Sequence, residues 1–558
     1  MSPSPNILPA PAAPRLTSLD ALRGIAIVAM CYSGLLYGLK ALPSWMFHAQ
    51  IAPPTFKFDG NLPGYTWVDL VFPAFLFSMG CAMPFALGRR LDKGAGLFPT
   101  IWGAVVRMAM LVYFALYVQN LQPYVINSSP DAHTWFLALA AFVSLYPVFG
   151  VLPKHWNNPT QFAVRVGGYV VTFALMVYAV LLRTPEATIG EVGRWIYLQG
   201  NYWTVLKQLA FKSDIIILVL ANMALFAAVL WIITRRSHVH RIGAMVLAYA
   251  LWRTEGFEGV WQEQWLNNKF TIVWQEVWFF TKANLEPTTI DLGWFYNFNY
   301  LKYLLVVLPG TMVGDYFVQW LAGEKEATPY SSNSRARLMI CAVLSLGLVV
   351  LCMTLLHARE LPFLKIGMFQ ISCLNATPYM AALMIGTITY LLPAKTERGG
   401  TILRQLILAG TYLLFLGLIF EPLKGGIKKD PSDVTYYFVS SGLSIYLLLF
   451  FFILGDLLRW EAPFRMLVLN GQNPLLAYFG IRNLLAPLTM LAFIPISDSK
   501  TGIVQMMSIN QMVVDLINSM WEIPEQAAWG LAGWAFVKTL LLSIVIAELT
   551  KRKVIWKS

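Results

Sequence analysis

The stretch Trp67-Val-Asp-Leu-Val-Phe-Pro-Ala-Phe-Leu-Phe-Ser-Met-Gly-Cys-Ala-Met-Pro-Phe-Ala-Leu87 contains a single charged residue, Asp69. A helix of roughly 18 or more apolar residues is long enough to cross the hydrocarbon core of a bilayer. Similar runs recur along the 558 residues, of which 57% are hydrophobic and 13% are charged, whereas soluble chains carry about 25% charged residues. The sequence therefore predicts an all-α, polytopic integral membrane bundle with about 11–14 transmembrane helices.

Hydropathy and length place about 14 candidate spans along the chain. The proposed spans are residues 24–40, 67–87, 97–118, 133–152, 166–183, 214–234, 242–253, 300–321, 338–357, 371–392, 406–420, 435–458, 466–494 and 528–549. Residues 1–22 are rich in Pro and Ala and lack a signal-peptide pattern, which predicts a cytoplasmic N-terminal tail. Residues 23–558 are expected to form a single transmembrane domain, because no stretch of domain length lacks an apolar run.

The charge pattern predicts the orientation of the chain in the membrane. The net charge is +12 at pH 7, yet the basic residues stand in short loops between apolar runs. This is the positive-inside pattern, so we expect both termini in the cytoplasm and no nucleic-acid partner. The loop 421–434 disagrees, because it places Lys424, Lys428 and Lys429 outside. Either the number of spans predicted before this loop is wrong or these lysines have a function.

The cysteines and histidines do not predict a metal site. All five cysteines fall inside proposed spans, which argues against a disulfide framework and against a thiolate metal centre. His238 and His240 form an H-x-H pair with no third ligand nearby in the sequence, so we expect no metal there.

A first cluster of charged residues precedes the first span, in Arg15-Leu-Thr-Ser-Leu-Asp20-Ala-Leu-Arg23-Gly24. Asp20 and Arg23 stand one helical turn apart and can pair. Ionisable groups at a span are costly and are often functional. The alternative is an N-cap combined with a positive-inside anchor, which needs no function. The spacing alone leaves both interpretations open.

A second cluster lies in the loop 41–66 and at the start of the next span. His48 stands in Trp-Met-Phe-His48-Ala-Gln50, and Asp69 opens the span that follows. Histidine is the side chain best suited to accept or relay a proton near neutral pH. A carboxylate close to it favours a role in acid–base chemistry, whereas an isolated loop histidine is more often structural.

A third group of polar residues interrupts a late apolar segment, in Leu469-Asn-Gly-Gln-Asn473-Pro474. Asn, Gly and Pro inside a span break the helix, which is tolerated where the backbone lines a cavity. Amide side chains at such a break can bind a ligand, although a kinked packing helix is an equally good interpretation.

These three groups, in this order, resemble the transmembrane acyltransferases related to heparan-α-glucosaminide N-acetyltransferase. The segments that carry the resemblance are Arg15-Leu-x-Ser-Leu-Asp20-x-x-Arg23-Gly24, Phe47-His48-Ala49, Asp69-Leu-Val-Phe-Pro73-x-Phe-x-Phe-x-Met-Gly80, Gly426-Ile-Lys-Lys429, Asn470-Gly-Gln-Asn473-Pro-Leu-Leu-Ala-Tyr478 and the basic C-terminus from Lys551. The resemblance implies a protein of a bacterial inner membrane that transfers acetyl from cytoplasmic acetyl-CoA to the amino group of a glucosamine on the far side.

The resemblance also implies roles for individual residues. His48 matches the catalytic histidine of the family, as general base or acyl carrier, and Asp69 matches a position beside it. Arg15, Arg23 and Asn473 are expected to bind acetyl-CoA, since guanidinium groups pair with phosphates. The amino-sugar acceptor is expected to meet a set of three residues on the other side, namely Gln50, Lys428 and Lys429.

Two other functions remain open from the sequence. An amino-sugar transporter for N-acetylglucosamine would also be polytopic with buried charges, although no internal repeat supports it. An O-acyltransferase acting on envelope glycans differs only in the acceptor atom. The lipid bilayer is the expected surrounding in each case, and exposed aromatic faces would permit a homodimer.

Overall fold

The computed structural model describes residues 15–185, 188, 193–253, 269–272, 288–291, 298–323, 330–357, 364–366, 369–371, 373–497, 504–521 and 523–557. Within these residues the chain is predominantly helical. The longer helices, and the shorter helices of the late broken segment, are α1 Thr17–Leu36, α2 Trp67–Met83, α3 Leu97–Asn120, α4 Ala132–Ser144, α5 Asn158–Arg183, α6 Gly193–Ala210, α7 Ile215–Thr234, α8 His238–Arg253, α9 Leu304–Gly323, α10 Ser332–His357, α11 Cys373–Leu391, α12 Gly400–Leu423, α13 Val434–Phe451, α14 Arg465–Gly471, α15 Pro474–Gly480, α16 Ala486–Met490, α17 Ile509–Met520 and α18 Pro524–Lys551.

The described strands form three antiparallel pairs that lie in connections between helices. They are β1 Lys269–Ile272 with β2 Thr288–Asp291, β3 Leu364–Ile366 with β4 Phe369–Ile371, and β5 Ala492–Ser497 with β6 Val504–Ser508. Each pair is short, so the strands contribute little to the body of the molecule.

The predicted fold class is confirmed. Eleven helices among the described residues are long and apolar enough to cross a membrane. The proposed spans 242–253, 371–392 and 466–494 are not among those eleven. They coincide with α8, with α11 and with the interrupted series α14 to α16. The protein is thus an all-α, polytopic membrane helical bundle.

The first helix begins earlier than the predicted end of the N-terminal tail. α1 starts at Thr17, inside the segment 1–22 that the sequence assigned to the tail, and it ends at Leu36. The carboxylate of Asp456 accepts hydrogen bonds from the amides of Thr17 at 2.9 Å and Ser18 at 3.0 Å. A side chain from a distant helix therefore caps the first turn, which no local sequence signal reveals.

The helices α2 and α13 form the centre of the bundle. In their most apolar stretches 78% and 89% of the residues are buried inside the protein, compared with 33% for α5 at the periphery. α2 packs mainly against α9 and α1, and α13 packs mainly against α12. The residues at the start of α2 and just before α13 therefore lie next to the best-enclosed part of the molecule.

Small residues allow the closest helix contacts. A Cβ atom at Gly80 of α2 would overlap the carbonyl oxygen of Val307 in α9, and a Cβ atom at Gly471 of α14 would overlap that of Asp20 in α1. Glycines at such crossings let backbones approach, which is the usual basis of helix packing in membranes.

The long helix α18 connects the two ends of the bundle. Ala532, near its start, packs in one cluster with Phe47, whereas Thr550, near its end, binds Asn473. These two positions are roughly 27 Å apart along an α-helix. We call the end that contains Phe47 the His48 end, and the other the opposite end. The first and last described segments share the opposite end.

Candidate functional site

Asp69 is held in place by the first turn of α2. Thr66 precedes the helix and forms a capping box with Asp69. The Oδ2 atom of Asp69 accepts hydrogen bonds from the amides of Thr66 at 3.1 Å and Ala49 at 3.2 Å, and its side chain is only 3% exposed. Amide donors and the positive end of the helix dipole together favour a charged carboxylate at this position.

His48 is oriented by this carboxylate. The loop that carries it is fixed by a hydrogen bond from the Thr66 hydroxyl to the Phe47 carbonyl at 2.7 Å. The Nδ1 atom of His48 lies 2.8 Å from Oδ1 of Asp69. Because the carboxylate only accepts, Nδ1 carries a proton and, in the neutral ring, the lone pair lies on Nε2. The side chain is 34% exposed, so a ligand can reach the ring.

Lys429 completes the cluster from the loop between α12 and α13. Its Nζ atom lies 3.2 Å from Nδ1 and 3.4 Å from Nε2 of His48. Burial lowers the pKa of Lys429, while the charges of Asp69 and Asp430 act in the opposite direction. The loop 421–434, which contradicted the charge count, thus brings one of its three lysines to the imidazole.

Gln50 connects the two loops that form the site. Its Oε1 atom accepts hydrogen bonds from the amides of Lys429 at 3.1 Å and Asp430 at 2.9 Å, and its Nε2 atom donates to the Asp430 carbonyl at 2.6 Å. The side chain is buried. Gln50 was predicted to bind the acceptor, but in the structure its amide is occupied by backbone groups that position Lys429.

Lys428 differs from Lys429 in its contacts. It is half-buried, and no contact between described residues joins it to His48. Next to it, the carbonyl of Ile427 accepts a hydrogen bond from the Gly64 amide at 2.9 Å. This backbone bond is a second link between the two loops. Of the two adjacent lysines, only Lys429 belongs to the cluster.

Two buried tyrosines link the site to the central helix α13. The Tyr436 hydroxyl of α13 donates to the carbonyl of Asp69 at 3.1 Å, and the Tyr65 hydroxyl lies 2.8 Å from that of Ser440. Burial raises the pKa of Tyr65, so it remains a neutral phenol. These contacts fix the start of α2 against the central helix α13.

Sequence reasoning overlooked Thr66 and Asp430. The pattern Thr66-x-x-Asp69 before an apolar run is a capping-box signature and was visible in the sequence. Asp430 binds Gln50 through its backbone carbonyl and amide, and the sequence offers no signal for these contacts.

At the opposite end, Asp20 pairs with Arg23, as the spacing predicted, and also with Arg15. Asp20 is 2.5 Å from Nε of Arg15 and 3.5 Å from Arg23. The charge of Arg107 lies within electrostatic range of Arg23. Cys81 of α2 lies within electrostatic range of Arg23, and Cys81 stands roughly 18 Å along that helix from Asp69.

Asn473 does not join either cluster. Its Oδ1 atom accepts from the amide of Trp556 at 3.1 Å, and its Nδ2 atom donates to the carbonyl of Val554 at 2.8 Å and to Thr550 at 3.3 Å. The side chain is fully buried. Asn473 was predicted to bind acetyl-CoA, but its amide holds the C-terminal segment in the gap between α14 and α15.

The fold and the site together define the class of this protein. It is a polytopic helical membrane protein with a histidine, a carboxylate and a lysine clustered at one end of the bundle. The family model described as a domain of unknown function (DUF5009) matches residues 15–184 and 201–317. The chain belongs to this family. No curated protein matches it. The matched residues include His48 and Asp69 and end before Lys429.

Proposed function

We propose that the protein is a membrane-embedded acetyltransferase that moves an acetyl group from acetyl-CoA to the amino group of glucosamine or of a glucosamine-terminated sugar. The observation that carries this proposal is the His48–Asp69 pair, at 2.8 Å, with Lys429 against the imidazole. The resemblance of the sequence around both residues to the heparan-α-glucosaminide acetyltransferases gives the reaction class.

In a direct transfer, the sugar amine attacks the thioester carbonyl. Nε2 of His48 removes a proton from the amine as the new C–N bond forms, and Asp69 stabilises the imidazolium through Nδ1. The C–S bond then breaks, and the thiolate of CoA takes up the proton from His48. Protons and electrons balance without any further reactant.

In a two-step transfer, Nε2 of His48 is itself the nucleophile. It attacks the thioester carbonyl, the C–S bond breaks, the leaving thiolate of CoA takes up the proton that the acylated ring loses from Nδ1, and a neutral acetyl-imidazole remains. The sugar amine then attacks this acyl group, and the proton that it loses returns to the imidazole as the bond between the acyl carbon and Nε2 breaks. Mass spectrometry of rapidly quenched protein distinguishes the routes, because only the second adds an acetyl group to His48.

Lys429 has a supporting role in both routes. A tetrahedral intermediate places a negative charge on the former carbonyl oxygen, next to the imidazole. An ammonium group held beside the ring stabilises this charge, as oxyanion-hole donors do. Gln50 is a positioning residue, because it fixes the backbone of Lys429 without facing the ring.

Acetyl-CoA would approach from the opposite end. Arg15, Arg23 and Arg107 offer positive charge there for its phosphates, with Asp20 as the counter-charge. The roughly 18 Å along α2 between Asp69 and Cys81, which lies within electrostatic range of Arg23, suits a ligand with a long, narrow pantetheine arm. The opposite end would therefore face the cytoplasm, and the His48 end the far side of a bacterial inner membrane.

Reconstituted vesicles test this function. Acetyl-labelled CoA is supplied at one face and glucosamine at the other. We expect labelled N-acetylglucosamine to form on the glucosamine side, with no sugar crossing the membrane. Uptake of N-acetylglucosamine without CoA would instead identify a transporter. A labelled ester on a hydroxyl acceptor, with no amide product, would identify an O-acyltransferase.

A further inference from the structure

A cavity lined by both charged and apolar residues lies at the opposite end of the bundle, away from the His48 cluster. It has a volume of about 420 Å³ and opens between the end of α2, the end of α7 and the second half of α9. The polar side chains that line it are Arg89, Asp92, Arg235, Arg236 and Asp315. None of the site residues predicted from the sequence lines this cavity, and the proposed acetyl transfer does not involve it.

The three arginines that line the cavity form no ion pair with another described residue. Arg89, Arg235 and Arg236 are exposed, and no ion pair between described residues involves them. Guanidinium groups present forked donors that match two oxygens of one phosphate. Three such groups around one cavity are therefore suited to a phosphate.

The carboxylate in the cavity wall is already neutralised. Oδ2 of Asp315 lies 2.6 Å from Arg241, which is fully buried, and 3.2 Å from Nε2 of His238. Trp231 donates to the other oxygen at 3.4 Å. The charge of Asp315 is thus shared among fixed partners, and only Asp92 opposes the three arginines. The cavity keeps an excess of positive charge.

The remaining wall is apolar. Phe85 of the α2 end and Val318 and Leu321 of α9 line the same cavity as the arginines. A ligand with a phosphate and an adjoining hydrocarbon chain would satisfy both surfaces. Basic cavities between transmembrane helices are typical binding sites for anionic lipid headgroups.

We propose that this cavity binds a phosphate group, and that its apolar wall selects the phosphodiester headgroup of an anionic phospholipid over free phosphate. The ligand bridges residues 84–92, which follow α2, and the helices α7 and α9, because each of these segments contributes to the lining. Binding would fix the end of α2 that lies farthest from Asp69. The proposal is independent of acetyl transfer.

The test compares ligands on the purified full chain in neutral detergent. Thermal unfolding is followed by tryptophan fluorescence while phosphatidylglycerol, phosphatidylcholine or inorganic phosphate is added. We expect phosphatidylglycerol to raise Tm saturably and phosphatidylcholine to leave it unchanged. The triple variant Arg89→Gln, Arg235→Gln, Arg236→Gln should bind phosphatidylglycerol about ten- to a hundredfold more weakly. The corresponding triple Lys variant keeps the positive charge but lacks the paired donors of the guanidinium group. Its affinity for phosphatidylglycerol should lie between those of the wild type and the triple Gln variant.

A matched control separates the cavity from general surface attraction. Lys551, Arg552 and Lys553 are three exposed basic residues at the same end, outside the cavity. Their triple Gln variant removes the same charge and should retain the Tm shift. An equal loss in this control would overturn the proposal, as would an absence of any shift in the wild type. A shift with inorganic phosphate alone, lost in the cavity variant, would keep the phosphate site and reject the lipid as its source.

Discussion

The two ends of the bundle each contain a histidine beside an aspartate, but the surroundings of the two pairs differ. At the His48 end the ring nitrogen and the carboxylate are 2.8 Å apart, and the aspartate is 3% exposed. In the His238–Asp315 pair the distance is 3.2 Å and the aspartate is 16% exposed. The histidines themselves are similarly accessible, at 34% and 31%.

The two histidine–aspartate pairs differ in the position of the neighbouring cationic side chain. Arg241 binds the carboxylate of Asp315 directly at 2.6 Å, so that carboxylate has little charge left with which to polarise His238. At the other end the carboxylate of Asp69 is held by backbone amides, and Lys429 faces the ring instead. The third partner thus favours a structural role for the His238–Asp315 pair and is compatible with the acid–base role that we propose for the His48–Asp69 pair.

Replacing Asp69 and Asp315 in turn should give the largest difference between the two pairs, one in the reaction rate and the other in stability. Asp69→Asn should lower the rate of acetyl transfer by roughly 10³-fold, because the amide no longer fixes the proton on Nδ1 of His48. Asp315→Asn should instead cost about 3 kcal/mol of stability, since it leaves Arg241 buried without its counter-charge. Initial rates per folded protein and the free energy of unfolding measure the two effects. Equal rate losses in both variants would remove the distinction between the pairs.

Replacing Lys429 tests the cation on the ring. Lys429→Met should lower the rate roughly 10²-fold through loss of oxyanion stabilisation. The acid limb of the pH profile of kcat/KM should also move to higher pH, because no ammonium then opposes protonation of the ring. Lys428→Met, one residue away, is the matched control and should change the rate little. A large effect in Lys428→Met and none in Lys429→Met would contradict the observed geometry.

The stability of the Lys429 variant supplies an independent check. Because burial lowers the pKa of Lys429, the folded protein releases this proton at a lower pH than the unfolded chain does. Between those two pKa values the unfolded state binds more protons, so stability rises with pH. Wild type should therefore gain stability relative to Lys429→Met as the pH increases towards the ordinary lysine value. An unchanged difference would mean that Lys429 is well solvated.

Loss of the hydrogen bonds that Gln50 makes to the backbone of Lys429 and Asp430 should have a smaller effect on the reaction. Gln50→Ala removes the partner of two backbone amides and should reduce kcat a few-fold, with KM for acetyl-CoA unchanged. Gln50→Glu can still accept both hydrogen bonds and should recover part of kcat. If Gln50 contacted the acceptor instead, KM for the sugar would rise while kcat stayed constant.

Asn473 should have the smallest effect on activity. Asn473→Ala removes the hydrogen bonds that hold the C-terminal segment and should cost about 1–3 kcal/mol of stability, with the rate per folded protein unchanged. Thermal unfolding and initial rates measured on one preparation check this. A selective rise in KM for acetyl-CoA would restore the role that the sequence assigned to it.

The sequence predicted the helical class because hydrophobic runs are a local property, readable residue by residue. It also predicted the pairing of Asp20 with Arg23, since one helical turn separates them. His48 and Asp69 were expected to be close because they lie on a loop and on the span that follows it. These predictions depend on neighbours in the chain.

Contacts between distant segments were not predictable in the same way. Gln50 and Asn473 are polar residues whose amides looked available for ligands, yet their partners Asp430 and Trp556 lie 380 and 83 residues away along the chain. Only the packed structure decides whether such a group is occupied. The pairing of Arg241 with Asp315 has the same origin.

The acetyl-transfer rate of His48→Ala, measured with and without added imidazole, tests the central role of this residue most directly. The ring of His48 is one-third exposed, so its removal leaves a space that imidazole can enter beside Asp69. We expect a loss of roughly 10²–10⁴-fold and a partial, saturable recovery with imidazole, whereas His155→Ala at the opposite end keeps the wild-type rate. An undiminished rate in His48→Ala would contradict the proposed mechanism.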